Sequence, residues 1–201
     1  MNTDTNGATT IPDTMESITP MRDYRPRLAF YHANGKGTGS AAKFEVVPAV
    51  GDRDGAIFLT LAQQKSVAAG SLDQGNRQHA TFDWANRITV KLNFSDLCQM
   101  LLVLKGQAQT IAEGKGLYHD SRATTTLINV TRQTEPHSGW ALEVSRRGKN
   151  VAEAVSRARI VFGAAEVFGL GTVLEQSLSL LAFGIPKETG GYAPDGQLDR
   201  G

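Results

Sequence analysis

The sequence predicts an antiparallel α+β fold, and two observations carry that prediction. Segments with alternating apolar residues come in two runs, and each run is followed by one segment with helical periodicity. Runs of strands followed by a helix are typical of antiparallel α+β proteins, whereas strict strand–helix alternation would favour a parallel sheet. The 201 residues suit one domain with tails. We expect a disordered tail over residues 1–24, a single domain over 25–185 and a flexible acidic tail over 186–201.

Four strands are predicted in the first run: Arg27–His32, Ala41–Val47, Gly55–Gln63 and Thr81–Phe94. In the last of them Phe82, Trp84 and the apolar residues after them share one parity, which predicts one buried face and one wet, basic face. Residues 64–80 are polar and read as a long loop. Ser95 is the predicted cap of the first helix, and Gly106 is its predicted end.

The second run begins with a short extended piece at 114–120. It continues with three predicted strands, Thr124–Gln133, Gly139–Arg147 and Arg157–Phe162. From Ala164 to Phe183 the apolar residues keep to one face of a helix, and Gly184 follows as a stop signal.

Charge is segregated along the chain. Residues 22–160 carry nineteen Lys and Arg against twelve Asp and Glu, a net charge of +7, whereas residues 1–21 and 161–201 each carry −3. A basic centre between acidic ends favours a polyanionic partner, although ordinary solvated charge produces the same totals.

Several classes of chemistry are disfavoured. The single cysteine, Cys98, excludes an internal disulfide, and the four histidines show no metal-ligand spacing. The glycine-rich segment Gly35–Ser40 resembles a phosphate loop, but a strand follows it instead of a helix. We therefore expect no enzymatic activity, no cofactor and no metal. The lack of a secretory signal or a membrane-length apolar run favours a cytoplasmic protein.

The residues of the first four predicted strands that face solvent indicate a nucleic-acid surface. We predict that Tyr31 and Phe58 stack on bases, and that the cations of this surface neutralise phosphates. Those cations are Lys36, Lys43, Arg87 and Lys91. The alternative is that Tyr31 and Phe58 pack under a helix or a second sheet.

The order of several motifs resembles the Whirly family of single-stranded DNA-binding proteins. The motifs are the basic strand opening at 35–44, the strand Gly55–Thr60, Phe82-Asp83-Trp84, a helix from Ser95, Tyr118-His119-Asp120, Gly139-Trp140 and Ala165-Glu166-Val167. Together they span about residues 27–184. The glycine insertions in the basic motif and the long loop at 64–80 depart from the family pattern.

The resemblance implies two packed antiparallel four-stranded sheets, each followed by a helix, in a homo-oligomer that is a tetramer. DNA would run along the sheets and between subunits, with little sequence preference. Lys36 and Lys43 match the basic motif, while Trp84 and Lys91 lie on the matching strand, where Trp84 serves core packing or a subunit contact.

We therefore predict a non-enzymatic single-stranded DNA-binding protein, cytoplasmic and nucleoid-associated, acting in replication, recombination or repair. Two alternatives stay open. One is an RNA-binding or transcription-cofactor relative of the same fold, and the other is an oligomeric scaffold that binds protein. The acidic C-terminal tail is a candidate site for a protein partner.

Overall fold

Two antiparallel sheets, each followed by a helix, make up the fold. The computed structural model describes residues 27–69, 78–134, 138–150 and 154–185. The first sheet and its helix comprise β1 (Arg27–His32), β2 (Ser40–Val47), β3 (Ala56–Ser66), β4 (Thr81–Phe82), β5 (Ile88–Leu92) and α1 (Phe94–Leu104). After a 3₁₀ helix (Ile111–Gly114) come β6 (Leu117–Asp120), β7 (Thr124–Gln133), β8 (Gly139–Gly148), β9 (Ser156–Phe162) and α2 (Ala164–Phe183).

Strand pairing confirms the predicted fold class and corrects one strand. The first sheet has the order β1-β2-β3, and both β4 and β5 pair with β3, whereas the second has the order β6-β7-β8-β9. The predicted strand Thr81–Phe94 is therefore two short strands, and the first sheet has five strands where four were expected. The predicted tails 1–24 and 186–201 lie outside the described residues, as do residues 70–77 of the predicted loop.

The core lies between the inner faces of the two sheets. Strand β9 packs across β2, β3 and β5, and Phe162 on β9 meets Phe30 on β1 edge to face at a centroid distance of 5.0 Å. The fully buried large side chains alternate along their strands: Ile57, Leu59, Leu61, Leu92, Ile128, Leu142 and Ile160. This period of two buries one face of each sheet and leaves the other face available for a ligand.

Helix α1 starts two residues earlier than predicted. Asn93, not Ser95, is its N-cap: the Asn93 side chain accepts from the backbone N–H of Asp96, and the Asp96 carboxylate accepts from that of Asn93. This reciprocal pair is a capping box. Gly106 follows the helix with φ +72°, as its place in the sequence predicts.

Helix α2 has the predicted bounds, and its C-terminal end is held by the turn between β2 and β3. Ala49 donates its backbone N–H to Leu180 O at 3.0 Å, and Gly55 donates to Leu181 O at 3.1 Å. A Cβ at Gly55 would lie 2.6 Å from Leu181 Cα, so only glycine allows this approach. In the described part of the chain, neither helix has the length and apolarity that crossing a bilayer requires.

Two histidine–carboxylate contacts cross-link the halves of the molecule. His32 on β1 lies 2.7 Å from the Glu166 carboxylate on α2, and His119 on β6 lies 3.1 Å from the Asp96 carboxylate on α1. Each carboxylate also accepts from the backbone N–H of its own helix's N-cap residue. Each sheet's first strand is thereby fixed to the start of the other half's helix.

Candidate nucleic-acid interface

The outer face of the first sheet is turned away from the second sheet. Cross-strand register places Tyr31 opposite Ala41, Lys43 opposite Thr60, and Phe58 opposite Lys91. Neighbouring strands are about 4.8 Å apart, so these pairs form adjacent rows of one surface. Small side chains lie beneath the larger ones, since Ala41 and Ala62 are fully buried although they face outward.

Three aromatic rings lie together on this outer face. Tyr31 lies 5.6 Å from Phe82 and 6.4 Å from Trp84 between ring centroids, and Phe82 and Trp84 are 6.4 Å apart. We call these three residues the aromatic cluster. Tyr31 is 54% exposed, and the other two rings are half-buried. A shallow cavity of about 500 Å³ opens against the cluster beside His79 and Ala80. Exposed edges and faces of three rings are suited to stacking with planar ligands.

The aromatic cluster exists because the polypeptide departs from strand geometry after β4. Phe82 pairs with Gln64 on β3, and the segment then turns before β5 begins at Ile88. Asp83 holds this turn by accepting the backbone N–H of Asn86 at 3.2 Å and its side-chain amide at 2.8 Å. These bonds also lower the pKa of the Asp83 carboxyl. The prediction that Phe82 and Trp84 share the buried face of the sheet with Ile88 and the apolar residues after it is therefore wrong. The backbone is not extended through the turn, so both rings lie on the outer face although their numbers have the same parity as Ile88.

Lys43 brings a positive charge to the aromatic cluster. Its Nζ lies 3.7 Å from the Trp84 ring centroid, within cation–π range. Burial lowers the pKa of Lys43, and the positive charges of Arg27 and Arg87 lower it further, partly offset by Glu45. Among the described residues, no carboxylate oxygen lies within ion-pair distance of Lys43. The surface therefore concentrates like charges, which a bound anion would relieve.

Lys36 lies at the tip of the turn between β1 and β2. The Asn34 side chain accepts the backbone N–H groups of Lys36 at 3.0 Å and Thr38 at 3.1 Å, which folds the turn back on itself. Gln64 fixes the turn to the sheet, because its side-chain oxygen accepts from the Asn34 and Gly39 N–H groups at 2.9 and 3.1 Å. A Cβ at Gly39 would lie 2.1 Å from His32 O, so this position requires glycine.

Of the remaining predicted residues, Phe58 and Lys91 lie at the other end of the face, whereas Arg87 lies beside Trp84. Phe58 is half-buried beside Lys91, its cross-strand partner, and both line a cavity of about 320 Å³ under the β2–β3 turn. Arg87 is exposed and donates to Trp84 O at 2.6 Å. The structure thus groups Tyr31 and Lys43 with the aromatic cluster, and places Phe58 with Lys91 as a separate pair.

Solved structures share this architecture. The crystal structure of WHY1 from Arabidopsis thaliana matches with a TM-score of 0.59 and 17% identity, over 82% of this chain and 88% of that one. The crystal structure of WHY3 from Arabidopsis thaliana matches with a TM-score of 0.52 and 17% identity, over 78% of this chain and 90% of that one. The chain has the Whirly fold. No protein-family model and no curated protein sequence matches it.

The structure shows which residues of the outer face the sequence prediction omitted. Phe82 was assigned to the buried face and Trp84 to core packing or a subunit contact, and Gln64 was placed in a loop although it belongs to β3 and is buried. One signal for the turn was present in the sequence: Asp83 and Asn86 have the spacing of a side-chain-capped turn. For Gln64 there was no comparable signal, because its role depends on hydrogen bonds to a distant turn.

Within this Whirly fold, no group of three or more His, Cys, Asp or Glu side chains that could hold a metal ion occurs among the described residues. His32 and His119 contact helix-capping carboxylates, so their bonding partners are accounted for by the fold. The chemistry that the outer face offers is therefore stacking and charge.

Proposed function

We propose that this chain is a non-enzymatic single-stranded DNA-binding protein with little sequence preference, acting in replication, recombination or repair. The observation that carries the proposal is the aromatic cluster with Lys43 against Trp84 on an open sheet face. Aromatic platforms flanked by cations bind single strands of any sequence, because every base has a face that stacks. The resemblance to the Whirly family, supported by the shared fold, implies the same ligand.

In this mechanism the bases of the strand stack on Tyr31 and the neighbouring rings. Lys43 and Arg87 neutralise phosphates beside the cluster, Lys36 does so from the turn, and Phe58 and Lys91 extend the contact along the sheet. A duplex has no unstacked bases to offer, so this surface selects single strands.

We also propose that copies of the chain assemble through their helices, as a tetramer. Phe168 and Phe183 on α2 are 80% and 88% exposed, and Leu102 on α1 is 40% exposed. Large apolar side chains in such exposed positions are typical of a surface that is covered by a partner.

Fluorescence anisotropy of a labelled mixed-sequence single strand tests the proposal at two salt concentrations. We expect saturable binding that weakens steeply as salt increases, because phosphate contacts release counterions. Unlabelled duplex should compete poorly. A matched RNA strand that competes better than DNA would instead support the RNA-binding alternative, and no binding at low salt would refute both and favour the protein-binding scaffold.

A further inference from the structure

A second basic region lies where the two sheets meet, outside the surface described so far. The turn between β1 and β2 faces the start of β9 across a cleft of about 480 Å³. We call this the inter-sheet cleft. Its lining comprises Gly37, Thr38, Gly39, Ser40, Gln63 and Gln64 from the first sheet, and Glu143, Arg157, Ala158 and Arg159 from the second. Gln63 Nε2 donates to Arg157 O at 2.9 Å, which joins the two walls at one end.

Two arginines dominate the charge of this cleft. Arg157 and Arg159 are both exposed and alternate with the buried Ala158, so they lie on the same face of β9. Residues two apart on a strand are about 6.8 Å apart. Glu143, the cross-strand partner of Arg159, is the one carboxylate in the lining, and it forms no ion pair with Arg159 within the described residues. Arginine forks bind phosphate oxygens in pairs, so the cleft is suited to a phosphate backbone.

The inter-sheet cleft lies next to the aromatic cluster in the first sheet. Gln64 lines the cleft, and in the sheet register it is the partner of Phe82, a member of the cluster. The turn between them contains Gly37 and Gly39, which carry no side chains. Its Lys36 adds a further cation between the two regions. Since the turn residues 33–39 include no Asp or Glu, a polyanion that passes from the cluster to the cleft meets no carboxylate of the turn.

We propose that the inter-sheet cleft binds the phosphate backbone of the same single strand, with Arg157 and Arg159 as its phosphate ligands. This inference rests on the proposed function. One protomer then contacts the strand over both sheets: bases stack on the first sheet, and the backbone continues over the turn onto β9. The first sheet contributes stacking and its own cations, and the second sheet adds the two arginines.

The test compares two double variants that remove the same net charge. R157A/R159A removes the cleft arginines, whereas K115A/R122A removes two exposed cations outside the cleft. Binding is measured with oligothymidylates of about 6 and about 16 nucleotides, lengths that bracket a single-domain site. For the longer strand we expect R157A/R159A to bind about tenfold more weakly. The plot of log K against log salt should become shallower by about 1.4, since each phosphate contact on a single strand contributes about 0.7.

The controls separate charge placement from folding and from total charge. R157K/R159K should restore the salt slope, and R157A/R159A should bind the shorter strand within twofold of the unmodified chain, because that strand is held by the aromatic cluster. Equal behaviour of R157A/R159A and K115A/R122A on the longer strand would overturn the inference. Failure of the unmodified chain to bind either strand would instead refute the proposed function, so the two failures are distinguishable.

Discussion

Replacing Tyr31 with alanine tests the stacking surface most directly, because the chain contains a matched control. Tyr31 and Tyr118 each lie on the first strand of a sheet and are 54% and 66% exposed. Each is followed by a histidine that contacts a helix-capping carboxylate. They differ in surroundings, since Tyr31 belongs to the aromatic cluster whereas Tyr118 has no aromatic ring against it among the described residues.

The expected loss of affinity follows from the stacking energy of one base on each ring. Stacking of a base on an exposed aromatic side chain contributes about 1–3 kcal/mol by alanine substitution. At about 1.4 kcal/mol per factor of ten, Tyr31→Ala should weaken single-strand binding by about 5- to 150-fold. Tyr118 lies three strands away from Arg157, about 14 Å across the second sheet, so Tyr118→Ala should change affinity by less than about twofold.

The assay is anisotropy on a labelled single strand at fixed salt, with thermal unfolding of each variant as a control. Tyr31→Ala loses two aromatic contacts, worth about 0.5–1.5 kcal/mol each beyond area burial, so it should remain folded at 25 °C. If the two tyrosine variants weaken binding equally, or if Tyr31→Ala leaves affinity unchanged, the assignment of bases to the aromatic cluster is refuted.

Three further predictions concern charge, the turn and assembly. The pKa of Lys43 is lowered in the free protein, so a bound phosphate should raise it, and NMR titration of the lysine ammonium groups should show that rise. At alkaline pH Lys43 loses its charge but arginine does not. Single-strand affinity should therefore decrease less with rising pH in Lys43→Arg than in the unmodified chain. Gln64→Leu should cost about 2–4 kcal/mol in urea unfolding, because it leaves the buried Gly39 N–H and the part-buried Asn34 N–H without acceptors, whereas the exposed Gln63→Ala should cost under about 1 kcal/mol. Phe168→Asp combined with Phe183→Asp should reduce the mass measured by light scattering to that of a smaller assembly; an unchanged mass would place the subunit interface elsewhere.

Period-two alternation was sufficient to predict most of the fold. The predicted strand Arg27–His32 and the predicted helix Ala164–Phe183 have the observed bounds. The strand ends at the glycine-containing turn that follows it, and the helix has a continuous buried stripe and is followed by Gly184. The stretch after Thr81 misled the same reasoning. There the apolar residues on both sides of the Asp83 turn happen to share a parity, and parity is informative only while the backbone stays extended.

The candidate surface was predicted only in part for a related reason. Tyr31 and Lys43 follow from the alternation of their strands, which is a local property. Trp84 and Gln64 act through partners that are distant in sequence: Trp84 lies under Lys43, and Gln64 holds the turn that carries Lys36. Such pairings depend on strand register, which a single sequence does not specify.

The two halves of the molecule have the same order of features, and a break in one strand of the first half accounts for the aromatic cluster. In both halves a Tyr-His pair opens the sheet, and a capping carboxylate starts the helix that closes the half. In the second half the last strand, β9, runs unbroken into α2 and places Arg157 and Arg159 on its outer face. In the first half the corresponding segment breaks at Asp83, and this break turns Phe82 and Trp84 outward beside Tyr31. A deletion of residues 83–86 that restored a continuous strand should therefore remove the stacking contributed by Phe82 and Trp84 while leaving the cations of the face in place, giving weaker binding with nearly the original salt slope.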